Sequence, residues 1–170
     1  MSENIRITVL VENSVHARGL KAEHGLSFLI EIGGRRVLFD TGQTELLLDN
    51  ARALGCSLQD LDAVVMSHGH YDHTGGLAAV CRQSPAARLF LGPAALAPKF
   101  GVNPDASARY IGMPEEAKKA LADAGTKLVL TPACQEVVAG LFVTGEIPRQ
   151  TDYEDVGGKF FLDDRCQQPD

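Results

Sequence analysis

A histidine-rich stretch that follows an apolar run constrains this chain more than any other feature of its sequence. Residues 63–66 are all apolar and predict a buried strand. Residues 67–76 follow directly, and six of their positions hold three of the chain's five histidines and one aspartate. Residues 77–80 are apolar and predict the start of a helix. A strand, loop and helix in this order expose the loop's side chains at the carboxyl end of the strand, where open α/β sheets bind ligands.

The side chains of this stretch are those that bind zinc and related first-row metals. Neutral imidazole and carboxylate are the usual ligands, and a catalytic site keeps one position open for water. His68 and His70 alternate, so an extended backbone directs both rings to one face. Asp72 and His73 are adjacent and point in different directions, which suits a second metal, or one ligand plus a base, better than one four-coordinate site. A solvated loop explains a lone histidine such as His16, but not this density of ligands.

The sequence at 68–73, His-Gly-His-Tyr-Asp-His, resembles the His-x-His-x-Asp-His motif of the metallo-β-lactamase superfamily. The resemblance implies an α/β chain of the α+β sandwich type, the N-terminal part of a four-layer αββα fold, with a mixed sheet and flanking helices. It also implies that His68 and His70 bind a first metal, and that Asp72 and His73 bind a second. Zinc is the expected cofactor, with iron or manganese as alternatives.

Other segments are similar to one branch of that superfamily, the archaeal synthases that join a dihydropterin to a ribofuranosylaminobenzene phosphate. These segments are Glu-His-Gly-Leu-Ser at 23–27, Asp-Thr-Gly at 40–42, Thr-Gly-Glu-Ile-Pro-Arg at 144–149 and Phe-Leu-Asp-Asp at 161–164. Asp40 resembles the aspartate that lies under the superfamily's metal site, where it orients a ligating histidine or caps a loop. His24 is a candidate for contact with the metal ligands or with the substrate.

The resemblance implies a hydrolase in which a metal-bound hydroxide attacks an ester, amide or phosphate-type small-molecule substrate. Asp72 is the expected catalytic residue, because it would hold the second metal and orient or deprotonate the nucleophile. Two alternatives stay open: a transferase related to the dihydropterin synthases, and a truncated, catalytically silent relative that binds metal. A remote alternative is an aspartic protease, whose active-site signature Asp40-Thr41-Gly42 also resembles; with one copy per chain, it would require a homodimer.

All five histidines lie at or before position 73. The superfamily has a second β-α half that supplies further histidine ligands, so residues 1–164 correspond to the first half, followed by a polar tail at 165–170. Such a half-sandwich would expose the face of its sheet that packs on the second half. An exposed apolar face predicts a homodimer, or a partner chain that covers it.

Composition excludes several other classes. A chain of 170 residues predicts one domain. Its formal net charge of −6, without a basic block, argues against nucleic acid as the partner. No apolar run approaches the ~20 residues that span a bilayer, which predicts no membrane insertion. The four cysteines are widely spaced, and no secretory leader is apparent, so we expect reduced thiols in a cytoplasm.

The remaining patterns predict the order of the elements. Strands are expected over 5–11, 26–32, 35–39, 62–66, 87–91, 127–130, 135–138 and 141–144, and helices over 46–54, 76–83 and 114–124. Gly33-Gly34 predicts a two-residue hairpin turn. Residues 57–60 predict a cap and one helical turn, residues 93–100 a short helix, and residues 101–113 irregular structure.

Overall fold

The computed structural model describes residues 4–148, 150–151, 153 and 159–170, apart from the side chain of Thr126. The Thr144-to-Arg149 segment of the resemblance therefore ends at a residue outside the described part. The strands are β1 Ile5–Val11, β2 Ser27–Ile32, β3 Arg35–Phe39, β4 Ala63–Met66, β5 Arg88–Leu91, β6 Phe100–Val102, β7 Ala108–Tyr110, β8 Leu128–Leu130, β9 Gln135–Val138, β10 Leu141–Val143 and β11 Phe160–Phe161. The α-helices are α1 Leu46–Ala53, α2 Tyr71–Thr74, α3 Leu77–Gln83 and α4 Glu115–Ala124, and short 3-10 helices span Pro93–Leu96 and Gly125–Lys127.

Six strands form a mixed sheet in the order β1-β2-β3-β4-β5-β8. The first three strands pair antiparallel, and β3, β4, β5 and β8 pair parallel. Gly33 and Gly34 join β2 to β3 with φ of +54° and +76°, the left-handed conformations that a two-residue hairpin turn requires. The predicted mixed sheet with flanking helices is confirmed.

Helices α1, α3 and α4 cover one face of this sheet and form its larger core. Leu38, Val64 and Leu89 point to this face from three neighbouring strands, where they share a core with the helical residues Leu77 and Leu121. All four residues of β4 are buried, because a central parallel strand is covered on both faces. The histidine-rich loop at residues 67–76 therefore begins from the most enclosed strand of the sheet.

The second face of the sheet is covered only in part. Residues Val37, Val65 and Phe90 form a separate core with Val137 and Val138 of the β9-β10 hairpin. This hairpin lies over the central strands and leaves β1, at the sheet edge, uncovered.

The uncovered part of this face is apolar. Ile5, Ile7 and Val9 alternate along β1 and are 62%, 60% and 49% exposed. The same face continues through the half-buried Phe28 and Ile30 of β2. The open face predicted from the sequence is thus confined to the β1 end.

The prediction of irregular structure over residues 101–113 is wrong. β6 and β7 form an antiparallel hairpin, and β11 pairs with the other edge of β6. The hairpin turn is closed by backbone hydrogen bonding between Asn103 and Ser107 and by the Asp105 carboxylate, which accepts from Ser107. Its strands, Phe-Gly-Val and Ala-Arg-Tyr, are only three residues long, which is too short for an apolar alternation to mark them.

The helical turn predicted at residues 57–60 is also wrong. This segment is extended and turns locally, because the Ser57 hydroxyl accepts a hydrogen bond from the Gln59 N–H. Serine offers the backbone this local alternative to a helix. No helix of the described residues is long and apolar enough to cross a bilayer.

Candidate metal centre

Residues 67–76 leave the carboxyl end of β4, between its parallel neighbours β3 and β5. His70 is extended, with φ −74° and ψ 152°, and the one-turn helix α2 follows it. Asp72 and His73 therefore lie on a helical turn rather than on the loop expected from the sequence. Successive helical residues point about 100° apart, which explains how these two adjacent side chains take different directions.

Glycines let this loop lie against neighbouring backbone. A methyl group at Gly69 would overlap the carbonyl oxygen of Ala95, and one at Gly76 would overlap that of Thr41. The loop is therefore enclosed by the 3-10 helix on one side and by residues 40–44 on the other. Such contacts require residues without a side chain.

Asp40 lies beneath the loop and organises it. Its carboxylate is fully buried and accepts hydrogen bonds from the Ser67 N–H at 2.7 Å, the Ser67 hydroxyl at 2.6 Å and His73 Nδ1 at 2.7 Å. Its backbone has φ +55°, a left-handed conformation that few residues other than glycine adopt. The backbone N–H and hydroxyl of Thr41 both donate to the His73 carbonyl, which fixes α2 beside Asp40.

These contacts determine which ring nitrogen carries the proton in His73 and in His68. His73 Nδ1–H donates to Asp40, which leaves the Nε2 lone pair free. The Ser67 hydroxyl donates to Asp40, so its own lone pair accepts from His68 Nδ1–H at 2.9 Å. His68 Nε2 is thereby unprotonated, and its lone pair faces His70 Nδ1 at 3.0 Å. Asp40 thus sets the tautomer of His73 directly and that of His68 through Ser67.

The candidate ligands come together as two pairs. His68 Nε2 lies 3.0 Å from His70 Nδ1, and His70 Nε2 is buried without a hydrogen-bond partner among the described residues. Asp72 Oδ2 lies 3.6 Å from His73 Nε2. The rings of His68 and His73 are 4.2 Å apart between centroids, so the two pairs adjoin.

The pKa values of the three histidines separate. Burial, reinforced by the other two imidazoles, lowers the pKa of His68 to about 4, which keeps that ring neutral. Burial also lowers the pKa of His70, although the Asp72 carboxylate opposes the change. Burial acts the same way on His73, but the hydrogen bond and charge of Asp40 outweigh it and raise the pKa of that ring.

His24 reaches the centre from the loop before β2. Its Nε2 lies 3.2 Å from Asp72 Oδ2, and its Nδ1 lies 3.1 Å from Asn13 Oδ1, which also accepts from the Gly25 N–H. Glu23 fixes this loop by accepting from the backbone N–H groups of Gln43 and Thr44. The structure therefore brings all six sequence-predicted residues, including Asp40 and His24, to one site.

The donor set fits a metal by its chemistry. His68 and His73 present unprotonated Nε2 atoms, and the buried His70 Nε2 has no hydrogen-bond partner among the described residues. Among the described residues, however, no three histidine, cysteine, aspartate or glutamate side chains converge on one point. Each metal would thus take two ligands from these pairs and the rest from elsewhere.

Sequence reasoning did not single out Ser67 or Asn13, which complete the hydrogen bonding of the site. The position of Ser67, between an apolar strand and the first histidine, could have indicated its role. Asn13 lies in a polar loop, where no sequence pattern indicates a role. The full burial of Asp40 argues against the aspartic protease alternative, since a catalytic carboxylate must contact its peptide substrate.

Comparison with known proteins gives a consistent result. The model of the Metallo-beta-lactamase superfamily matches residues 20–102. An uncharacterized protein of Methanocaldococcus jannaschii is 34% identical over 150 residues, which are 87% of this chain and 56% of that protein. The 7,8-dihydropterin-6-methyl-4-(beta-D-ribofuranosyl)-aminobenzene-5'-phosphate synthase of the same organism is 30% identical over 152 residues, 85% of this chain and 51% of the synthase.

A solved structure extends the likeness to the fold. Tm1679, described as a metal-dependent hydrolase of the beta-lactamase superfamily, superposes with a TM-score of 0.72 at 31% identity, covering 94% of this chain and 54% of that one. The present chain thus spans about half the length of the relatives it matches.

Proposed function

The chain belongs to the metallo-β-lactamase superfamily, and we propose that it is a metal-dependent hydrolase of small molecules that carry an ester, amide or phosphate bond. The hydrogen-bond relay from Asp40 carries the proposal, because it leaves the Nε2 atoms of His68 and His73 unprotonated at the carboxyl end of β4. Metal-ligating histidines characteristically donate their other N–H to such a carboxylate. The similarity to Tm1679, a metal-dependent hydrolase by its description, supports the same function.

The residues have distinct parts in this proposal. His68 and His70 would hold one metal, and Asp72 and His73 a second, with zinc as the first candidate and iron or manganese as alternatives. A bound metal supplies Lewis acidity, which lowers the pKa of water and polarises the substrate's oxygen. Asp72, which lies 3.2 Å from His24 Nε2, would orient the attacking water and accept its proton.

Metal content and hydrolysis together test the proposal. Purified protein is analysed for metals and assayed against ester, amide and phosphate substrates before and after chelation. We expect bound metal, and hydrolysis that chelation abolishes and added metal restores. The double variant His68→Ala/His70→Ala should lose metal, and Asp72→Asn should lose turnover while its circular dichroism spectrum stays unchanged.

His16→Ala is the matched control, since His16 is an exposed histidine outside the centre. It should retain metal and activity. Metal uptake without turnover on any of the three bond types would favour a catalytically silent relative instead. Folded protein that takes up no metal would contradict both functions.

A second candidate is a transferase related to the dihydropterin synthases. The 30% identity to the synthase of Methanocaldococcus jannaschii favours it. Incubation with a dihydropterin and a ribofuranosylaminobenzene phosphate, followed by mass spectrometry, distinguishes the two functions. A coupled product would support the transferase, and unchanged reactants beside active hydrolysis would support the hydrolase.

A further inference from the structure

A buried ion pair lies beside the metal centre and has no part in the chemistry described so far. Lys99 Nζ lies 2.8 Å and 2.7 Å from the two carboxylate oxygens of Asp170, and the lysine side chain is only 6% exposed. Lysine is almost never buried to this degree unless it is paired. The Lys99 ammonium is thus held in a buried position where it binds one carboxylate.

Backbone contacts place this pair next to His70. The Lys99 carbonyl accepts from the Ile111 N–H, and Gly112 forms a β-bridge with His70. On the other side, the Asp170 N–H donates to the Phe160 carbonyl, and the Phe160 ring lies 5.2 Å from the His70 ring between centroids. The positive charge of Lys99 lowers the pKa of His70 and the negative charge of Asp170 raises it, so both groups lie near that ring.

The segment that carries Asp170 is held in place by its own hydrogen bonds. The Asp163 carboxylate accepts from the backbone N–H groups of Arg165, Gln167 and Gln168, which reverses the chain. Pro169 then forms a β-bridge with Phe161. Asp170 consequently reaches Lys99 from a compact turn, and its partly exposed carboxylate is the partner of the buried ammonium.

We propose that Lys99 is the anchor for an anionic group of the substrate, a carboxylate or a phosphate, and that the Asp170 carboxylate holds this place until substrate binds. The proposal rests on the hydrolase function proposed above and names the class of its substrate. Replacement of one oxyanion by another keeps the buried ammonium paired throughout, so no uncompensated charge is created. Because Lys99 is already immobilised, it loses little side-chain entropy when it binds a ligand.

Anion binding to the chelated, metal-free protein tests the proposal independently of hydrolysis. Inorganic phosphate and acetate are titrated in turn at constant ionic strength, with affinity measured by calorimetry and the Phe160 and Gly112 amides followed by NMR. Asp170→Asn removes the competing charge while its amide oxygen still accepts from Lys99. We expect this variant to bind one of the two anions at least tenfold more tightly than the wild type, and the anion bound more tightly identifies the substrate group.

The double variant Asp170→Asn/Lys99→Gln should lose that gain. Asp49→Asn is the matched control, because Asp49 pairs with Lys21 at 2.9 Å on the exposed surface, and it should change anion affinity less than twofold. Equal anion affinities of Asp170→Asn and the wild type would overturn the proposal. A gain in affinity that survives Lys99→Gln would also overturn it, because it would mean an adventitious ion only.

If Asp170→Asn does not fold, the wild type decides the matter. Saturating phosphate or acetate must then shift the Phe160 amide resonance, and Lys99→Gln must abolish the shift; an unmoved resonance overturns the proposal. Anion binding at Lys99 without hydrolysis would support the anion site and reject the hydrolase function. Hydrolysis without Lys99-dependent anion binding would support the hydrolase function and reject the anion site.

Discussion

Asp40 shows how one buried carboxylate prepares several side chains at once. Its two oxygens accept three hydrogen bonds, two from Ser67 and one from His73. Its left-handed backbone costs free energy that these bonds offset. The residue therefore links the end of β3 to the protonation of both His68 and His73.

Asp40→Asn should weaken metal binding without unfolding the chain. Asparagine tolerates the left-handed conformation. Its amide NH₂ group, however, is a donor and cannot accept the hydrogen bond from Ser67 or His73 that the carboxylate oxygen accepted. We expect metal affinity, measured by competition with a chromophoric chelator, to fall about 10- to 100-fold. Asp62→Asn, which removes a carboxylate bonded to Arg35 and Arg36 instead, should leave the affinity unchanged. Wild-type affinity in Asp40→Asn would remove the orienting role.

The same variant should lower the pKa of His73 in the metal-free protein. Burial favours the neutral ring, and Asp40 is the main group that opposes it. The raised pKa means that the charged pair stabilises the fold below pH 6.5 and loses this contribution as pH rises through the folded-state pKa. NMR titration of the His73 ring measures the change, and an unaltered pKa in Asp40→Asn would contradict the assigned hydrogen bond.

Cys81 should react more slowly with iodoacetamide than Cys134 at neutral pH. Burial raises the pKa of the Cys81 thiol in the groove between α3 and α4, which reduces its thiolate fraction tenfold for each unit of the rise. Cys134 is exposed on the turn before β9. Peptide mass spectrometry over a time course gives both rates, and equal rates would show that the groove does not shield Cys81.

At the scale of elements, the sequence predicted those whose pattern is local. Strands β1 to β5 follow from apolar alternation or short apolar runs, and the glycine pair at 33–34 predicted the turn that both positive φ values bear out. Helix α4 begins after Pro114 with two glutamates in its first turn, as its sequence indicated. These elements depend on side chains within a few residues of each other.

The elements that were missed depend on contacts from distant parts of the chain. The β6-β7 hairpin is completed by β11, some 60 residues later along the chain, as the Phe160–Gly101 pairing shows. Helix α2 has only four residues, and its first N–H, that of Tyr71, donates to the distant Ile111 carbonyl. The Lys99–Asp170 pair has a separation of 71 residues, which no local pattern encodes.

Gly76→Ala should destabilise the metal loop, whereas Gly92→Ala should not. A methyl group at Gly76 would overlap the Thr41 carbonyl, and we expect a loss of about 3 kcal/mol in the free energy of unfolding. Gly92 has nothing within 4 Å of such a methyl group and a φ of −67°, so its replacement should be neutral or raise stability by about 0.5 kcal/mol. Urea unfolding measures both, and a neutral Gly76→Ala would show that the loop has room to shift.

At the scale of the whole molecule, the sheet has one well-covered face and one that is covered only in its centre. The helical core is continuous, while the β9-β10 hairpin leaves Ile5, Ile7 and Val9 of β1 exposed. β1 is also an edge strand, paired on one side only by β2 among the described residues. Apolar exposure together with a free edge favours association.

We expect the chain to form a homodimer through the β1 face, and Ile7→Lys to prevent it. The exposed lysine should leave the thermal midpoint of the monomer within a few degrees, since Ile7 contributes little to either core. Light scattering over a range of protein concentrations measures the mass. Val102→Lys, at another exposed apolar residue, on β6, should leave the dimer intact. A monodisperse wild-type monomer at high concentration would reject the homodimer.

The contact between Gly69 and Ala95 has a consequence for the order in which the centre becomes functional during synthesis. The histidine motif leaves the ribosome before β5 and before the 3-10 helix that forms its outer wall. Until those residues emerge, β4 lacks a neighbour on one side, and the loop that carries His68 and His70 has no fixed shape. A nascent chain therefore displays the side chains of the motif before their arrangement is fixed, and the geometry that the proposed metal binding requires can form only after residues up to 96 have emerged from the ribosome.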